Sequence, residues 1–260
     1  MSNNLVIIPT YNEKENIERI IRAVFELVTP FSVLVVDDGS PDGTALIVKK
    51  LTEEFNNRLF ILERKGKLGL GTAYIAGFRW GLQNGYDNIA EMDADFSHNP
   101  KDLMRLVDVL NKNEADVAVG SRYVKGGDVK NWSNYRIFLS YGASMYVRIV
   151  MGMPIKDPTA GFVCYKRQVL ETIDLSKIRF IGYAFQIEMK FASYTLGFKI
   201  SEIPIKFVDR VEGVSKMNMS IFSEAINGVL KMRWRSFFKS YAIDKQPSVN
   251  NKQSAISNQL

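Results

Sequence analysis

Short apolar runs alternate with longer amphipathic segments along the first half of the chain. The short runs are nearly all apolar, which is typical of β-strands buried on both faces. The longer segments carry apolar residues at helical spacing. Strands that alternate with helices indicate an α/β fold with a parallel sheet. The predicted strands are residues 5–8, 33–36, 59–62, 88–92 and 117–119, and the predicted helices are residues 13–28, 44–55, 69–83 and 101–111.

The pattern changes after about residue 121, where a Gly-rich loop begins. No Pro-rich or Ser-rich linker follows, so we expect one domain, residues 1–219, whose second lobe completes a cleft. Ligands of open α/β sheets bind beyond the carboxyl ends of the strands, so the loops after the first, second, fourth and fifth strands should line the site. The second lobe is predicted to contain helices at 132–151 and around 185–196, and strands near 161–165 and 199–207.

The C-terminal part is predicted to form a helix at residues 220–242, with a disordered tail at 243–260 that is rich in Gln, Ser and Asn. A basic helix with Trp and Phe on its apolar face is typical of segments that lie flat on anionic membranes. The alternative is that this face packs on the core of the domain. The apolar positions at helical spacing are Ile221, Phe222, Ala225, Ile226, Val229, Leu230, Trp234, Phe237, Phe238 and Tyr241.

Composition excludes several classes of protein. Apolar residues make up 46% and charged residues 24% of the 260 residues, which excludes disordered, collagen-like and coiled-coil proteins. Cys164 is the single cysteine, so an intramolecular disulfide is impossible and a reducing compartment is expected. The single histidine, His98, excludes a His-rich metal site. The net charge of +6 is compatible with phosphate-bearing ligands or an anionic membrane surface, and is too small to indicate nucleic acid.

The chain shows no pattern of a membrane span or a signal peptide. The first residues lack a basic region followed by an apolar one. The longest uncharged stretch in the middle of the chain, residues 137–147, is shorter than the roughly 20 apolar residues that cross a bilayer. We therefore expect a cytoplasmic protein that is soluble, or peripheral on the inner face of the membrane.

Two carboxylates follow the fourth predicted strand. Alternate residues of a strand point to the same side, so Asp93 and Asp95 present their side chains together at its carboxyl end. Adjacent carboxylates repel one another unless a cation lies between them, and oxygen ligands of this kind suit Mg²⁺ or Mn²⁺ that shares phosphate oxygens with a substrate. The motif predicts a metal–diphosphate site. The structural alternative is a helix-capping turn before Pro100.

The loops after the first two strands are also polar. The second strand ends in Asp37 and Asp38, at a position where nucleotide-binding sheets bind a ribose or a base edge. After the first strand, Asn12 and Glu15 can form a capping box, which leaves Tyr11 to contact a base. The chain has neither G-x-G-x-x-G after the first strand nor G-x-x-x-x-G-K-S/T, which excludes the dinucleotide fingerprint and the P-loop.

Four other residues have structural and functional interpretations. His98, near the acidic pair, is expected to be an exposed or hydrogen-bonded loop residue. Cys164 lies in an apolar run and is expected to belong to the core. Gly69 and Gly71 open a predicted helix, where they either approach a phosphate or allow close packing of the backbone.

Eight short motifs along the chain occur in the same order as in a known enzyme family. They are, in order, PTYNE, VDDGSPDGT, KGKLGLGTAY, MDADFSHNP, VGSRYVKGG, DPTAGF, GYAFQIEM and PIKFVDRVEGVSKM. The chain resembles the glycosyltransferase family 2 enzymes with the GT-A fold, and more narrowly the polyprenol (dolichol) phosphate mannose synthases, from about residue 5 to residue 217. The resemblance implies a GT-A-type, Rossmann-like, mostly parallel sheet with helices on both faces, plus a C-terminal amphipathic helix.

The resemblance also implies roles for individual residues. The guanine nucleotide of the donor is implied to bind at Pro9, Tyr11, Glu13, Val36 and Asp38. The nucleotide and metal motif matches Asp93, Ala94 and Asp95, with Mg²⁺ or Mn²⁺ on Asp93 and Asp95. Relatives often carry Gln where this chain has Ser97, so water is expected to replace a third protein ligand. The phosphates match Arg122, Arg210 and Lys216, which with Asp95 are the implied catalytic residues. The acceptor phosphate matches Arg122, Arg136 and Ser140.

The implied reaction is mannosyl transfer from GDP-mannose to polyprenyl phosphate at the cytoplasmic membrane face. A phosphate monoester has a second pKa of about 6, so the acceptor is already a dianionic nucleophile near neutral pH and requires no protein base. Direct displacement then inverts the anomeric carbon. Two alternatives stay open, a UDP-sugar donor such as UDP-glucose and a nucleotide-binding membrane scaffold without turnover. A small membrane-anchoring partner is a further expectation if the C-terminal helix alone is insufficient.

Overall fold

The computed structural model of the chain describes residues 3–182, 184–209, 219–238 and 240–243. The strands are β1 (Asn4–Thr10), β2 (Ser32–Asp37), β3 (Leu59–Glu63), β4 (Asn88–Glu91), β5 (Val117–Ser121), β6 (Asp128–Lys130), β7 (Val163–Lys166), β8 (Ile200–Pro204) and β9 (Lys206–Val208). The helices are α1 (Ile17–Phe25), α2 (Thr44–Glu54), α3 (Leu70–Gln83), α4 (Asp102–Asn111), α5 (Asn134–Met151), α6 (Arg167–Thr172), α7 (Ala184–Thr195) and α8 (Met219–Ser236).

A mostly parallel sheet forms the centre of the molecule. Its strand order within the described residues is β3-β2-β1-β4-β7-β5-β8. All neighbouring strands are parallel except β7, which runs antiparallel to both β4 and β5. The carboxyl ends of β1, β2, β4 and β5 therefore lie at one edge of the sheet. The predicted fold class, a mostly parallel α/β sheet, is confirmed.

Helices cover both faces of the sheet, and β1 shows how the sequence achieves this. Leu5 and Ile7 belong to a hydrophobic cluster that includes residues of α3, α5 and α7. Val6 and Ile8 belong to a second cluster with residues of α1, α2 and α4. Because strand residues alternate in direction, a continuous apolar run supplies both clusters. Cys164 is fully buried in the second cluster, as expected from its apolar surroundings.

Several predicted boundaries differ from the structure. The predicted strand at 199–207 is divided into β8, which extends the main sheet, and β9, which pairs with β6 in a separate two-stranded ribbon. The division falls at Ile205, whose N–H donates to the carbonyl of Ser121 at 3.0 Å. Neither β6 nor the short helix α6 was predicted, because both are too short to show a period in the sequence.

Helix α1 begins later than predicted, and the capping box of Asn12 and Glu15 is wrong. Asn12 has a left-handed backbone, with φ of 60°. The N–H groups of Asn12 and Glu13 donate to the hydroxyls of Ser40 and Thr44, each at 3.0 Å. These bonds tie the loop after β1 to the loop after β2. Residues 12–16 therefore precede the helix. Their role is to join the loop after β1 to the loop after β2, both of which lie at the predicted site.

The C-terminal helix divides its apolar residues between the core and the surface. Val229, Met232 and Tyr241 are buried, and α8 packs against α5 and α7. Leu230, Trp234, Phe237 and Phe238 are exposed. Part of the apolar stripe therefore packs on the core, as the second alternative predicts, and another part is exposed, where contact with a membrane stays a prediction.

The segment after α8 folds back on the domain. The helix ends at Ser236, short of the predicted residue 242, and Ala242 pairs with Ile173. The N–H of Ile243 donates to the carbonyl of Thr172 at 3.1 Å. Residues 244–260, for which a disordered tail was predicted, lie outside the described residues. Over the part of the chain that the structure describes, no helix is long and apolar enough to span a membrane.

Candidate active site

The loops after β1 and β2 form one side of the candidate site. Pro9 and Val36 are partners in the sheet, and the hydroxyl of Thr10 donates to Asp37 at 2.8 Å. These contacts bring together the five residues that the resemblance assigns to the nucleotide. Tyr11 and Glu13 are half-buried, and Val36 is fully buried. The five residues are Pro9, Tyr11, Glu13, Val36 and Asp38.

Asp38 is buried and bound by a basic loop that follows β3. Arg64 donates from Nε to Asp38 at 2.6 Å, and the N–H of Leu68 donates to the same carboxylate at 3.2 Å. Arg64 also donates to the hydroxyl of Thr72 at 2.7 Å. The charge of Asp38 is thus balanced by Arg64, a residue that the sequence analysis did not single out.

The same basic loop reaches the aromatic residue of the nucleotide side. The ammonium of Lys67 lies 5.0 Å from the centre of the Tyr11 ring, within the range of a cation–π contact. A positive charge beside an aromatic ring suits a nucleotide, which carries both a base and phosphates. The signal in the sequence was the KGKLG segment, in which Lys67 lies between two glycines.

Gly69 and Gly71 serve close packing rather than phosphate binding. A Cβ at Gly71 would lie 2.8 Å from the carbonyl oxygen of Phe180 and from the ring of Phe185. The N–H of Gly71 already donates to the carbonyl of Ile181 at 2.8 Å. Of the two interpretations left open for these glycines, the structure supports close approach of the backbone.

Asp93 and Asp95 follow β4 directly and face different partners. Buried Tyr74 of α3 donates its hydroxyl to Asp93 at 3.4 Å. Asp95 is buried and accepts the N–H of Ser97 at 3.0 Å, while Phe96 between them has a left-handed φ of 57°. Ala94 between the two acids is also buried. The turn at Asp95 lies well before α4, which begins at Asp102, so it is not the helix-capping turn that was the structural alternative for this motif.

The acidic pair is the chemically suitable place for a divalent cation. Carboxylate oxygens are hard ligands of the type that Mg²⁺ and Mn²⁺ prefer. Across the described ranges, no group of three or more His, Cys, Asp and Glu side chains is arranged to hold a metal. A cation at Asp93 and Asp95 would therefore complete its coordination with water and phosphate oxygens, which is the usual behaviour of Mg²⁺.

Arg122 follows β5 and is held by a buried aspartate. Its Nε and one terminal nitrogen each donate to Asp157 at 2.7 Å, and the same terminal nitrogen donates to the hydroxyl of Thr159 at 2.9 Å. Burial alone would raise the pKa of Asp157, but the charge and hydrogen bonds of Arg122 hold that pKa below its usual value. The bidentate geometry fixes the plane of the guanidinium group.

Arg136 and Ser140 lie beside Arg122 around an indole ring. The guanidinium carbons of Arg122 and Arg136 lie 5.7 and 4.0 Å from the centre of the Trp132 ring. Tyr123 donates its hydroxyl to Ser140 at 2.7 Å. The three residues that the resemblance assigns to the acceptor phosphate are therefore brought together, with two aromatic residues that the sequence analysis missed.

Trp132 carries a polar group that the described part of the protein leaves unsatisfied. Its indole N–H is buried and has no hydrogen-bond partner among the described residues. A buried donor without a partner is costly, by roughly 1–3 kcal/mol, so such groups mark places where a ligand or water completes the structure. Arg136, next to the ring, is paired with Asp209 at 2.6 Å. We call Arg122, Tyr123, Trp132, Arg136 and Ser140 the arginine–indole cluster.

His98 connects the acidic loop to the arginine–indole cluster. It is buried, not exposed, and its ring stacks on Phe162 with centres 4.9 Å apart. Phe207 lies 5.4 Å from the His98 ring and 5.6 Å from the guanidinium carbon of Arg122. Burial lowers the pKa of His98 to about 4, so the ring is neutral at pH 7 and acts as an aromatic spacer.

A buried polar network lies beneath both halves of the site. Glu91, at the end of β4, accepts a hydrogen bond from Gln186 of α7 at 2.6 Å. Lys190, one turn further along α7, donates to the carbonyls of Ala160 at 2.6 Å and Gln186 at 3.0 Å. Ala160 belongs to the turn that carries Asp157, so this network joins the acidic strand to the turn that holds Arg122.

Both charged members of the network are fully buried, which perturbs their pKa values. Burial raises the pKa of the Glu91 carboxyl, and burial lowers the pKa of the Lys190 ammonium. The second oxygen of Glu91, Oε1, has no hydrogen-bond partner within the described residues. The Q-x-x-x-K spacing in the segment QIEMK was the signal in the sequence, since residues four apart share one face of a helix.

Two predicted residues cannot be placed. Arg210 and Lys216, which the resemblance assigns to the phosphates, lie outside the described residues. The other predicted site residues lie at the carboxyl ends of the strands, in the loops that follow them or on the first turns of α5. Their roles in binding and catalysis remain predictions that rest on the resemblance and on this placement.

Comparison with known protein families assigns the chain to one of them. Residues 5–174 match the family Glycosyl transferase family 2. The chain belongs to glycosyltransferase family 2. This confirms the resemblance drawn from the motifs and makes the protein a glycosyltransferase.

Two similar proteins are named as enzymes that act on polyprenyl-type phosphates or form mannosylated polyprenols. The chain is 48% identical over 222 residues to the polyprenol monophosphomannose synthase of Mycolicibacterium smegmatis, covering 85% of this chain and 83% of that protein. It is 45% identical over 234 residues to the undecaprenyl-phosphate mannosyltransferase of Micrococcus luteus, covering 88% and 95%. The narrower resemblance to polyprenol phosphate mannose synthases is therefore confirmed as well.

Solved structures of glycosyltransferases share the fold at low identity. Glucosyl-3-phosphoglycerate synthase from Mycobacterium tuberculosis, in complex with Mn²⁺, UDP and glucosyl-3-phosphoglycerate, aligns with a TM-score of 0.63 and 16% identity, covering 89% of this chain and 80% of the other. A mannosyltransferase from Pyrobaculum calidifontis, in complex with GDP-Man and Mn²⁺, aligns with a TM-score of 0.57 and 19% identity, covering 93% and 66%. These similarities establish the GT-A fold.

Proposed function

We propose that this glycosyltransferase moves mannose from GDP-mannose to a polyprenyl phosphate, giving polyprenyl-phosphate mannose with inversion at the anomeric carbon. The arginine–indole cluster carries the proposal. It offers two guanidinium groups and a buried indole N–H without a partner in the described residues, which together suit a phosphate. The names of the two relatives at 45–48% identity agree with this acceptor and with mannose as the sugar.

The donor is proposed to bind across the loops after β1, β2 and β4. Tyr11 with Lys67 beside it suits the base and phosphates, and Asp38 lies next to them at the end of β2. Asp93 and Asp95 would hold Mg²⁺ or Mn²⁺, which when bound neutralises charge on the diphosphate leaving group. Arg210 and Lys216 are proposed, from the resemblance alone, to contact the same phosphates.

The acceptor needs orientation more than activation. Its phosphate is dianionic near neutral pH, since the second pKa of a phosphate monoester is about 6. An oxygen of that phosphate forms the new bond to the anomeric carbon while the bond from that carbon to GDP breaks, and no proton has to be removed. Arg122, whose plane is fixed by Asp157, and Arg136 orient the acceptor, and the N–H of Trp132 donates to it.

The acceptor is a lipid, and the surface next to the arginine–indole cluster is apolar. Helix α5, which carries Arg136 and Ser140, exposes apolar side chains along its length, and α8 packs beside it with an exposed apolar surface of its own. We propose that these two helices dock the protein on the cytoplasmic face of the membrane. The exposed residues are Tyr135, Phe138, Tyr141, Met145 and Ile149 on α5, and Leu230 and Trp234 on α8, followed by Phe237 and Phe238.

The donor and the reaction are tested together. Calorimetry in the presence of Mn²⁺ is expected to show GDP binding at least about tenfold more tightly than UDP, a difference of about 1.4 kcal/mol. Label from GDP-mannose is expected to move into the lipid phase when polyprenyl phosphate is added. Tighter binding of UDP, with transfer from a UDP-sugar, would establish the alternative donor. Binding of GDP without transfer from any nucleotide sugar would establish the scaffold.

Membrane docking is tested by vesicle flotation. Replacing Phe138 and Ile149 by serine is expected to weaken binding to vesicles by about tenfold for each residue, because each apolar side chain loses roughly 1.5 kcal/mol or more of burial. Leu46→Ser, on the exposed side of α2, is the matched control and should float like the wild type. Equal flotation of all variants would contradict docking through α5. A wild-type chain that does not float would require the small membrane-anchoring partner.

A further inference from the structure

A pocket of about 410 Å³ lies between the end of α8 and the turn that follows α6. None of its lining residues belongs to the arginine–indole cluster or to the loops after β1, β2 and β4. The chain closes the pocket by folding back after α8, where the N–H of Asp174 donates to the carbonyl of Tyr241 at 2.8 Å. The lining residues are Ser176, Lys177, Arg179, Arg235, Phe238, Ser240 and Tyr241.

The pocket is strongly cationic. Lys177, Arg179 and Arg235 line it, and none of the described lining residues is acidic. The acid behind its wall is Glu188, which is fully buried and 4.0 Å from Arg235. Its oxygens accept the N–H groups of Arg179 and Phe180, at 2.8 and 3.0 Å, and the hydroxyl of Tyr241 at 3.1 Å.

Neighbouring acids offset part of this charge. Asp174 contacts Lys177 at 3.6 Å in a long ion pair whose side chains are about a quarter exposed, and the same ammonium donates to the carbonyl of Ala242 at 2.8 Å. Glu188 is committed to the wall, where its oxygens accept three hydrogen bonds, and burial raises its pKa above the usual value. Three like charges around one concave space repel one another, and an anion seated among them would relieve that repulsion.

The rim of the pocket is apolar and faces outward. Phe238 lines the pocket and is 75% exposed, and the ring of Trp234 lies near it in a tilted arrangement with ring centres 6.4 Å apart. Phe237, next in the chain, is also exposed. Trp and Phe beside basic residues are typical of side chains that lie at the boundary between headgroups and acyl chains. The anion that fits is therefore one attached to hydrocarbon.

We infer that this pocket binds the phosphate of an anionic membrane phospholipid, with Arg179, Arg235 and Lys177 around the headgroup and Phe238 against its acyl chains. The inference rests on the proposed membrane docking of α5 and α8. It adds a second lipid site, separate from the acceptor, that fixes the orientation of the protein on an anionic bilayer. It predicts that the lipid composition of the membrane, and not its apolar interior alone, controls how much protein is bound.

The test compares two charge-neutralising variants on vesicles of defined composition. Arg179→Gln removes a pocket cation whose side chain is exposed, and Lys231→Gln removes an exposed cation from helix α8, outside the pocket. Wild-type protein is expected to bind vesicles containing phosphatidylglycerol more tightly than vesicles of phosphatidylcholine alone. Arg179→Gln should weaken this binding by about fivefold or more, and Lys231→Gln by clearly less, because nonspecific attraction depends little on position.

Three outcomes would overturn the inference. Equal loss in the two variants would show that the attraction is nonspecific. Equal binding of wild type to both kinds of vesicle would show that no headgroup is recognised, while leaving apolar docking intact. Binding of glycerol phosphate in solution that is lost in Arg179→Gln, without a preference between vesicles, would assign the pocket to a soluble phosphate compound.

Failure of the proposed function gives a different result. Transfer from GDP-mannose to polyprenyl phosphate in detergent micelles does not involve this pocket, so Arg179→Gln should retain the wild-type rate there. A wild-type protein that fails to transfer mannose but still prefers phosphatidylglycerol would contradict the proposed reaction and support the lipid site. A variant whose melting temperature is unchanged would show that any loss of binding is local.

Discussion

Replacing Asp95 by asparagine is expected to lower the rate of mannosyl transfer by about 100- to 1000-fold, a loss of roughly 3–4 kcal/mol of transition-state stabilisation. The amide has nearly the same size as the carboxylate, and its oxygen can still accept the N–H of Ser97, so the turn should survive. What disappears is the negative charge that would bind a divalent cation beside the leaving diphosphate. Initial rates of label transfer measure the effect.

The Asp95→Asn experiment needs a control for the loss of one negative charge. Asp108→Asn removes a carboxylate from the exposed face of α4, where it pairs with Lys112, and should leave the rate unchanged. Titration with GDP should show that Mn²⁺ strengthens binding to the wild type and not to Asp95→Asn. A variant that keeps its rate within about threefold of the wild type would contradict the assignment of Asp95 as a metal ligand.

Replacing Lys190 by methionine is expected to lower the free energy of unfolding by about 3–5 kcal/mol. Lys190 is fully buried, and its removal leaves the carbonyl of Ala160 without its donor and Glu91 without the nearby positive charge. The double variant Glu91→Gln with Lys190→Met removes both charges and should be more stable than Lys190→Met alone. Chemical denaturation, monitored by the fluorescence of the three tryptophans, measures all three proteins.

The pH dependence of these variants separates the charge from the packing. Burial raises the pKa of Glu91 above its ordinary value of 4.5, so its contribution to stability is present at low pH and is lost as the pH rises through the raised value. Lys190 acts in the opposite direction on this pKa, so Lys190→Met raises it further. The stability of Lys190→Met should therefore increase as the pH falls from about 8 to about 5, whereas the double variant should lack this increase.

A flat profile for Lys190→Met would contradict the charge pairing between Glu91 and Lys190. The same variant should also lose activity, because Lys190 holds the turn whose Asp157 fixes Arg122. If that coupling is positional, Lys190→Met will raise the KM for polyprenyl phosphate more than the KM for GDP-mannose. Equal changes in both would instead indicate a general loss of folded protein.

Local patterns predicted most of the regular structure. The first five strands were predicted within about two residues of their ends, because each is a short apolar run between polar turns. The acidic pair was found from the residues themselves, because a strand that ends in two alternate carboxylates has few structural uses. The antiparallel direction of β7 was not predicted, since an isolated apolar run carries no information about which neighbour it pairs with.

The resemblance located residues that local patterns did not. Arg122, Arg136 and Ser140 were singled out by their match to the family. The structure brings the two arginines together beside Trp132 and places Ser140 against Tyr123. Trp132 itself was missed, because an aromatic residue at the start of a helix is usually part of the core. Its unpartnered N–H became visible only once its neighbours in space were known.

The sequence by itself determined the layered α/β fold, the family and the acidic pair, because these depend on residues close together in the chain. Only the tertiary structure revealed what surrounds them. Lys190 meets Ala160, Arg64 meets Asp38, and Arg235 meets the pocket wall at Glu188 across large separations in sequence. The packing of helices on the sheet determines which residues form such pairs. Burial then determines their charge states and the free energy of burying them, and neither can be predicted from a linear pattern.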